Sequence, residues 1–126
     1  MRCNLGATVL MIGDHTDTVR LVRMALEFTP YELHIVPTFD EGLVMSGVLK
    51  PDLLIMEGGL LGEIDSDRFE GTLMLSSLPC ILLRDRSLKL PLDSLASIGF
   101  QLFLDKPFTP LRLHHAIDSA LKSMLE

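Results

Sequence analysis

The sequence predicts an α/β protein, a five-stranded, doubly wound parallel sheet with helices on both faces. Three observations lead there. Five short runs are almost continuously apolar: Val9–Ile12, Leu33–Val36, Leu53–Met56, Cys80–Leu83 and Leu102–Leu104. Such runs suit strands buried on both faces, whereas a sheet with one wet face alternates. Segments with helical spacing separate the runs, and strict alternation of strand and helix implies parallel strands joined by crossovers. Charged residues also gather just after the apolar runs, where such sheets place their working site.

Taken in order, the first helix begins near Asp17 and is marked by Val19, Val22 and Leu26. The second spans Phe39 to Val48, with Thr38 or Asp40 as its cap. The third runs roughly from Ser66 to Ser77, capped by Asp65 or Ser66, and a weaker fourth lies near Pro91 to Ile98. The fifth has the clearest start, with Thr109 as cap and Pro110 in the first helical position. Its apolar stripe is Leu113, Ala116, Ile117 and Ala120. No internal repeat, low-complexity tract or linker interrupts residues 1–126, so they are read as one domain.

A chain of 126 residues, 48% hydrophobic and 22% charged, is long and apolar enough for one core. The net charge of −6 argues against direct nucleic-acid binding, which needs a basic footprint. No apolar run reaches the roughly 20 residues of a membrane helix, and Arg2, Cys3, Asn4 and Gly6 do not form a signal peptide. Cys3 and Cys80 lie far apart, and Cys80 sits in an apolar run, so the expectation is two free thiols and a cytoplasmic protein. The closing Leu125-Glu126 follows directly on the helical pattern. It is either native or a cloning remnant, and in the second case an output segment follows residue 126.

The residues after the strands carry the chemistry. Strand 1 is followed by Gly13, Asp14 and His15, and strand 3 by Glu57, Gly58 and Gly59. Strand 4 is followed by Arg84 and Asp85, and strand 5 by Asp105, Lys106, Pro107 and Phe108. With its stretches "VLMIGDH", "PDLLIMEGG" and "GFQLFLDKPFTP", the chain resembles the response-regulator receiver domain of two-component signalling, from about Ala7 to Leu125. The resemblance implies the flavodoxin-like (βα)5 fold of the chemotaxis regulators, with strand order 2-1-3-4-5. It also implies a cis bond before Pro107, since proline makes that isomer tolerable.

The same resemblance implies a set of roles. An Asp after strand 3 accepts a phosphoryl group. Two acids after strand 1 help to hold Mg²⁺, which neutralises the transferring group. A hydroxyl residue after strand 4 and a Lys after strand 5 bind the phosphate, and an aromatic on strand 5 reports it. Here Asp14 matches the second acid, Lys106 the lysine and Phe103 the aromatic. Gly13 replaces the first acid, Glu57 the phosphoacceptor and Arg84 the hydroxyl residue. In-line phosphoryl transfer depends on placement and charge stabilisation, so these departures imply that phosphorylation is lost. Mg²⁺ binding is expected to be weak or absent, with Asp14, Glu57 and Gly59 as residual donors.

The expectation is therefore a pseudo-receiver, noncatalytic and acting through protein contacts. Its partner or homodimer surface would be the helix 4, strand 5 and helix 5 face, near Phe103, Asp105, Arg112 and His115. Glu57 is expected to pair with Lys106, Arg84 or both, so that Glu57→Gln destabilises the fold by roughly 1–3 kcal/mol. Several alternatives stay open. Glu57 is a working part of a rebuilt site or drift in a disused one, Arg84 joins the site or points to solvent, and Phe103 is a switch or plain core. A phosphorylation-competent receiver and a small-ligand module on the same fold are the rival functions. Gly58, Gly59 and Gly62 fit no nucleotide-binding spacing. His114 and His115 are adjacent and face different ways on a helix, which makes a poor metal pair. Arg20 and Arg23 share a helix face that either meets solvent or an acidic partner.

Overall fold

The computed structural model describes residues 7–57, 79–84, 102–106 and 108–125. In chain order these form β1 (Thr8–Ile12), α1 (Thr16–Leu26), β2 (Glu32–Val36), α2 (Phe39–Leu49) and β3 (Leu53–Glu57). They continue with β4 (Cys80–Arg84), β5 (Leu102–Asp105) and α3 (Pro110–Leu125). Helix α3 is the predicted fifth helix; the third and fourth predicted helices lie outside the described residues. All strands are parallel, in the order β2-β1-β3-β4-β5. This is the predicted five-stranded, flavodoxin-like α/β sheet.

Successive side chains of a strand point to opposite faces, so each apolar run feeds two cores. On one face Val9, Met11, Leu53, Ile55, Ile81, Leu83 and Leu104 meet Val22, Ala25 and Leu26 of α1. Leu113, Ile117, Ala120 and Leu121 of α3 complete that layer. On the other face Leu10, Ile12, Leu54, Met56 and Leu82 meet Phe39, Leu43, Met45 and Leu49 of α2. Double-sided burial is why the strands read as continuous apolar runs. Leu10, Met11, Leu53, Ile55, Met56, Ile81 and Leu82 are all fully buried. Helix α2 sits close to the sheet because Gly42 leaves room for the Ile12 side chain. A Cβ on Gly42 would lie only 2.4 Å from Ile12 Cδ1.

Helix starts follow side-chain chemistry. Thr38, not Asp40, caps α2, its Oγ1 accepting from Glu41 N–H at 3.2 Å. Thr109 Oγ1 accepts from Arg112 N–H at 3.1 Å and starts α3. Helix α1 begins one residue earlier than expected, because His15 serves as its N-cap and accepts from Thr18 N–H through Nδ1 at 3.4 Å. Far from the site, buried Asp52 accepts from Thr8 N–H at 2.8 Å and joins the start of β3 to that of β1. Tyr31 donates its hydroxyl to Asp118 Oδ1 at 2.5 Å and fastens the β2 entry to α3.

Candidate functional site at the carboxyl rim of the sheet

The strand registers bring the singled-out residues to one edge. Ile12 pairs with both Val36 and Met56, Glu57 pairs with Leu83, and Arg84 pairs with Asp105. Gly13, Glu57, Arg84 and Lys106 therefore stand at the carboxyl ends of neighbouring strands, as the chain pattern predicts. Gly13 N–H continues the ladder to Val36 O at 2.9 Å, and Lys106 N–H reaches Arg84 O at 2.8 Å. Asp14 and His15 are exposed on the turn into α1. Phe103 lies on β5, but its side chain, like Gly58, Gly59, Gly62 and Pro107, lies outside the described residues.

Glu57 is the centre of the site, and it is 92% buried (8% exposed). Its side chain lies directly over Gly13. A Cβ at Gly13 would meet Glu57 Cγ at 2.6 Å and Cδ at 2.9 Å, closer than real atoms approach. The Glu57 side chain thus fills the volume that a side chain at position 13 would need. Two departures that read as separate in the sequence occupy one space.

The electrostatics follow from that burial. Loss of water around the carboxylate pushes the Glu57 pKa above the ordinary range. The Lys106 charge, the Thr18 hydroxyl and His15 act in the opposite direction, and Asp14 adds to the rise. Glu57 Oε1 is buried and has no hydrogen-bond partner among the described residues. Among the described residues no ion pair joins Glu57 to either cation. This corrects the expected salt-bridge network. Lys106 acts on Glu57 through its charge, and Arg84 turns along the edge instead. Its Nε donates to Asp105 Oδ1 at 2.7 Å, between side chains 22% and 67% exposed. The physical reason is the register: Asp105 stands directly beside Arg84 on β5.

Thr18 and the capping role of His15 went unread in the sequence. Thr18 is 2% exposed, and its Oγ1 lies 3.1 Å from His15 Nδ1, so capping imidazole and buried hydroxyl form a small polar cluster beside Glu57. The only available signal was the three-residue spacing of a polar cap, and histidine is not among the strong capping residues. Cys80 is a buried free thiol with its pKa raised by burial, and takes no part in the rim. The adjacent imidazoles on α3 are not a shared site: His114 pairs with Asp118, Nε2 to Oδ2, at 3.6 Å.

Solved response-regulator structures share this fold. A two-component response regulator from Clostridium difficile superposes with a TM-score of 0.80 at 18% identity, over 95% of this chain and 99% of that one. The Vibrio cholerae chemotaxis protein CheY4 superposes at 0.76 and 20% identity, covering 92% and 99%. NtrX from Brucella abortus matches at 0.78 and 21% identity over 94% of this chain but only 27% of its own length. No protein-family model matches the chain, and no curated protein matches it by sequence.

Proposed function

We propose that residues 1–126 form one atypical receiver domain of a two-component response regulator, signalling through protein contacts without aspartyl phosphorylation. The observation that carries this reading is the seat of Glu57 over Gly13. The carboxylate that would attack a phosphoryl donor is longer than the family's Asp and folds back into the slot of a missing acid. Desolvation also raises its pKa, which disfavours the carboxylate form that would attack. In-line transfer tolerates little misplacement of the attacking oxygen.

The same residues do not fit Mg²⁺. That ion takes near-octahedral oxygen coordination. Gly13 offers no carboxylate, Glu57 Oε1 is one buried donor, and Lys106 adds positive charge nearby. The chain is accordingly read as noncatalytic and without a resident cofactor. Its binding surface is the face of β5 and α3 together with the predicted fourth helix, where Asp105, Arg112 and His115 are exposed. NtrX carries this fold within a much longer chain, which supports an output segment beyond residue 126 here too. Among the described residues no helix is long and apolar enough to cross a membrane, which agrees with a cytoplasmic setting. The net charge of −6 stands against direct nucleic-acid contact.

Incubation with excess phosphodonor and Mg²⁺, followed by intact mass, tests the proposal. The expected result is no adduct of about 80 Da, the mass of one phosphoryl group. A base-labile adduct mapping to Glu57 would overturn it and establish a competent receiver.

A further inference from the structure

The outward face of α2 has no role in the site, yet its composition is unusual for a wet surface. The helix, FDEGLVMSGVL, has no basic residue in its last turn and no charge between Glu41 and Lys50. Phe39 and Gly42 are buried, and Leu43, Met45 and Leu49 pack on the core. At about 100° per residue, Val44, Gly47 and Val48 point the opposite way. Val44 is 66% and Val48 69% exposed, and a Cβ added to Gly47 would meet nothing within 4 Å. A helix apolar on every side is normally covered on every side. A cleft of about 360 Å³, lined by Val36, Asp40, Glu41, Val44 and Met45, borders it.

We propose that this face binds a second copy of the chain, with the two α2 helices antiparallel about a two-fold axis. The charge pattern selects that occupant. The first turn is acidic, with Asp40 and Glu41, and the exposed Lys50 stands at the other end. A surface negative at one end and positive at the other is complementary to itself when reversed, as an isologous interface requires. In one register Glu41 faces the partner's Lys50 while Val44 faces the partner's Gly47. The valine fills the space left by the missing side chain, and the helices approach to about 8 Å. The antiparallel helix dipoles also agree in sign. A lipid surface fits less well, since Asp40 and Glu41 border the stripe and the chain carries −6 overall. An 11-residue helix pair falls short of the roughly 1,200 Å² of a standard interface, so a dissociation constant on the order of 100 µM is expected.

Sedimentation equilibrium of the full chain from about 10 µM to about 1 mM tests this, bracketing the expected constant. A monomer–dimer equilibrium should appear, with thermal melts run alongside. A Cβ at position 47 meets nothing within 4 Å and glutamine has the better helix propensity, so Gly47→Gln should raise the melting temperature while weakening the dimer about tenfold or more. Glu41→Lys should weaken the dimer, and Glu41→Lys with Lys50→Glu should restore it. A chain monomeric throughout overturns the proposal. So does a dimer indifferent to these variants, which would place self-association on another face. Neither result bears on phosphorylation at Glu57.

Discussion

Glu57 is a buried acid held without a salt bridge, and that reverses the expected effect of neutralising it. Its folded-state pKa lies above its ordinary value of 4.5. Between the two values the folded protein binds more protons than the unfolded chain, so stability falls as pH rises through that interval. Glu57→Gln removes the dependence. At neutral pH the variant should be more stable by about 1 kcal/mol, because it relieves a buried charge whose desolvation Lys106, Thr18 and His15 only partly offset. The gain should shrink as pH falls toward 4.5. Urea melts at several pH values measure it, and a variant less stable at pH 7 would restore the ion-pair account. Gly13 and Glu57 should also be thermodynamically coupled. Gly13→Asp alone places atoms within 2.6 Å of Glu57 Cγ and should cost roughly 1–3 kcal/mol. Glu57→Asp removes the Cδ contact and shortens the side chain over Gly13, so the double variant should cost less than the sum by about 1 kcal/mol. Additive losses in the cycle would separate the two positions.

At the scale of elements, small polar contacts decide where helices start and how they attach. Thr38→Ala removes the α2 cap and should cost about 1 kcal/mol. Tyr31 ties β2 to α3 through Asp118, and its pKa is pushed up to about 12, first by burial and then by that neighbouring carboxylate. The folded pKa is the higher one, so the contribution is complete below about pH 10 and is lost as pH climbs through about 12. Tyr31→Phe should cost about 1 kcal/mol at pH 7, and its melting temperature should approach that of the parent at strongly alkaline pH. A constant difference across the alkaline range would show that the hydroxyl is not what joins the two elements. The pairing of Arg84 with Asp105 is edge-exposed and worth less, roughly 0.2–1 kcal/mol.

For the whole molecule, the prediction concerns the divalent ion. A receiver with an intact acidic pocket is stabilised by Mg²⁺ through mass action, by about 2.7 kcal/mol at 100 times the dissociation constant. With Gly13 in place of one acid and Glu57 turned over it, 10-fold steps in Mg²⁺ through the millimolar range should leave the melting temperature nearly unchanged. A rise that Asp14→Ala abolishes would show a functioning metal site.

The strands, their parallel pairing, and the gathering of Glu57, Arg84 and Lys106 at one rim were legible in the chain. Burial on both faces leaves a continuous apolar signature, and crossover rules leave few topologies. The Thr109-Pro110 start of α3 was equally legible, because capping is local chemistry. His15 as a cap was not, since its role depends on ring placement rather than residue type. What Glu57 and Arg84 touch belonged wholly to the tertiary structure. Charge attraction is readable from residue types, but partner choice depends on which oxygen lies within about 3 Å. The β4–β5 register gave Arg84 to Asp105, and the vacancy at Gly13 gave Glu57 a seat in which it forms no ion pair with Lys106 or Arg84. The chain's letters determined which groups meet at the rim; packing in three dimensions decided which of them bond.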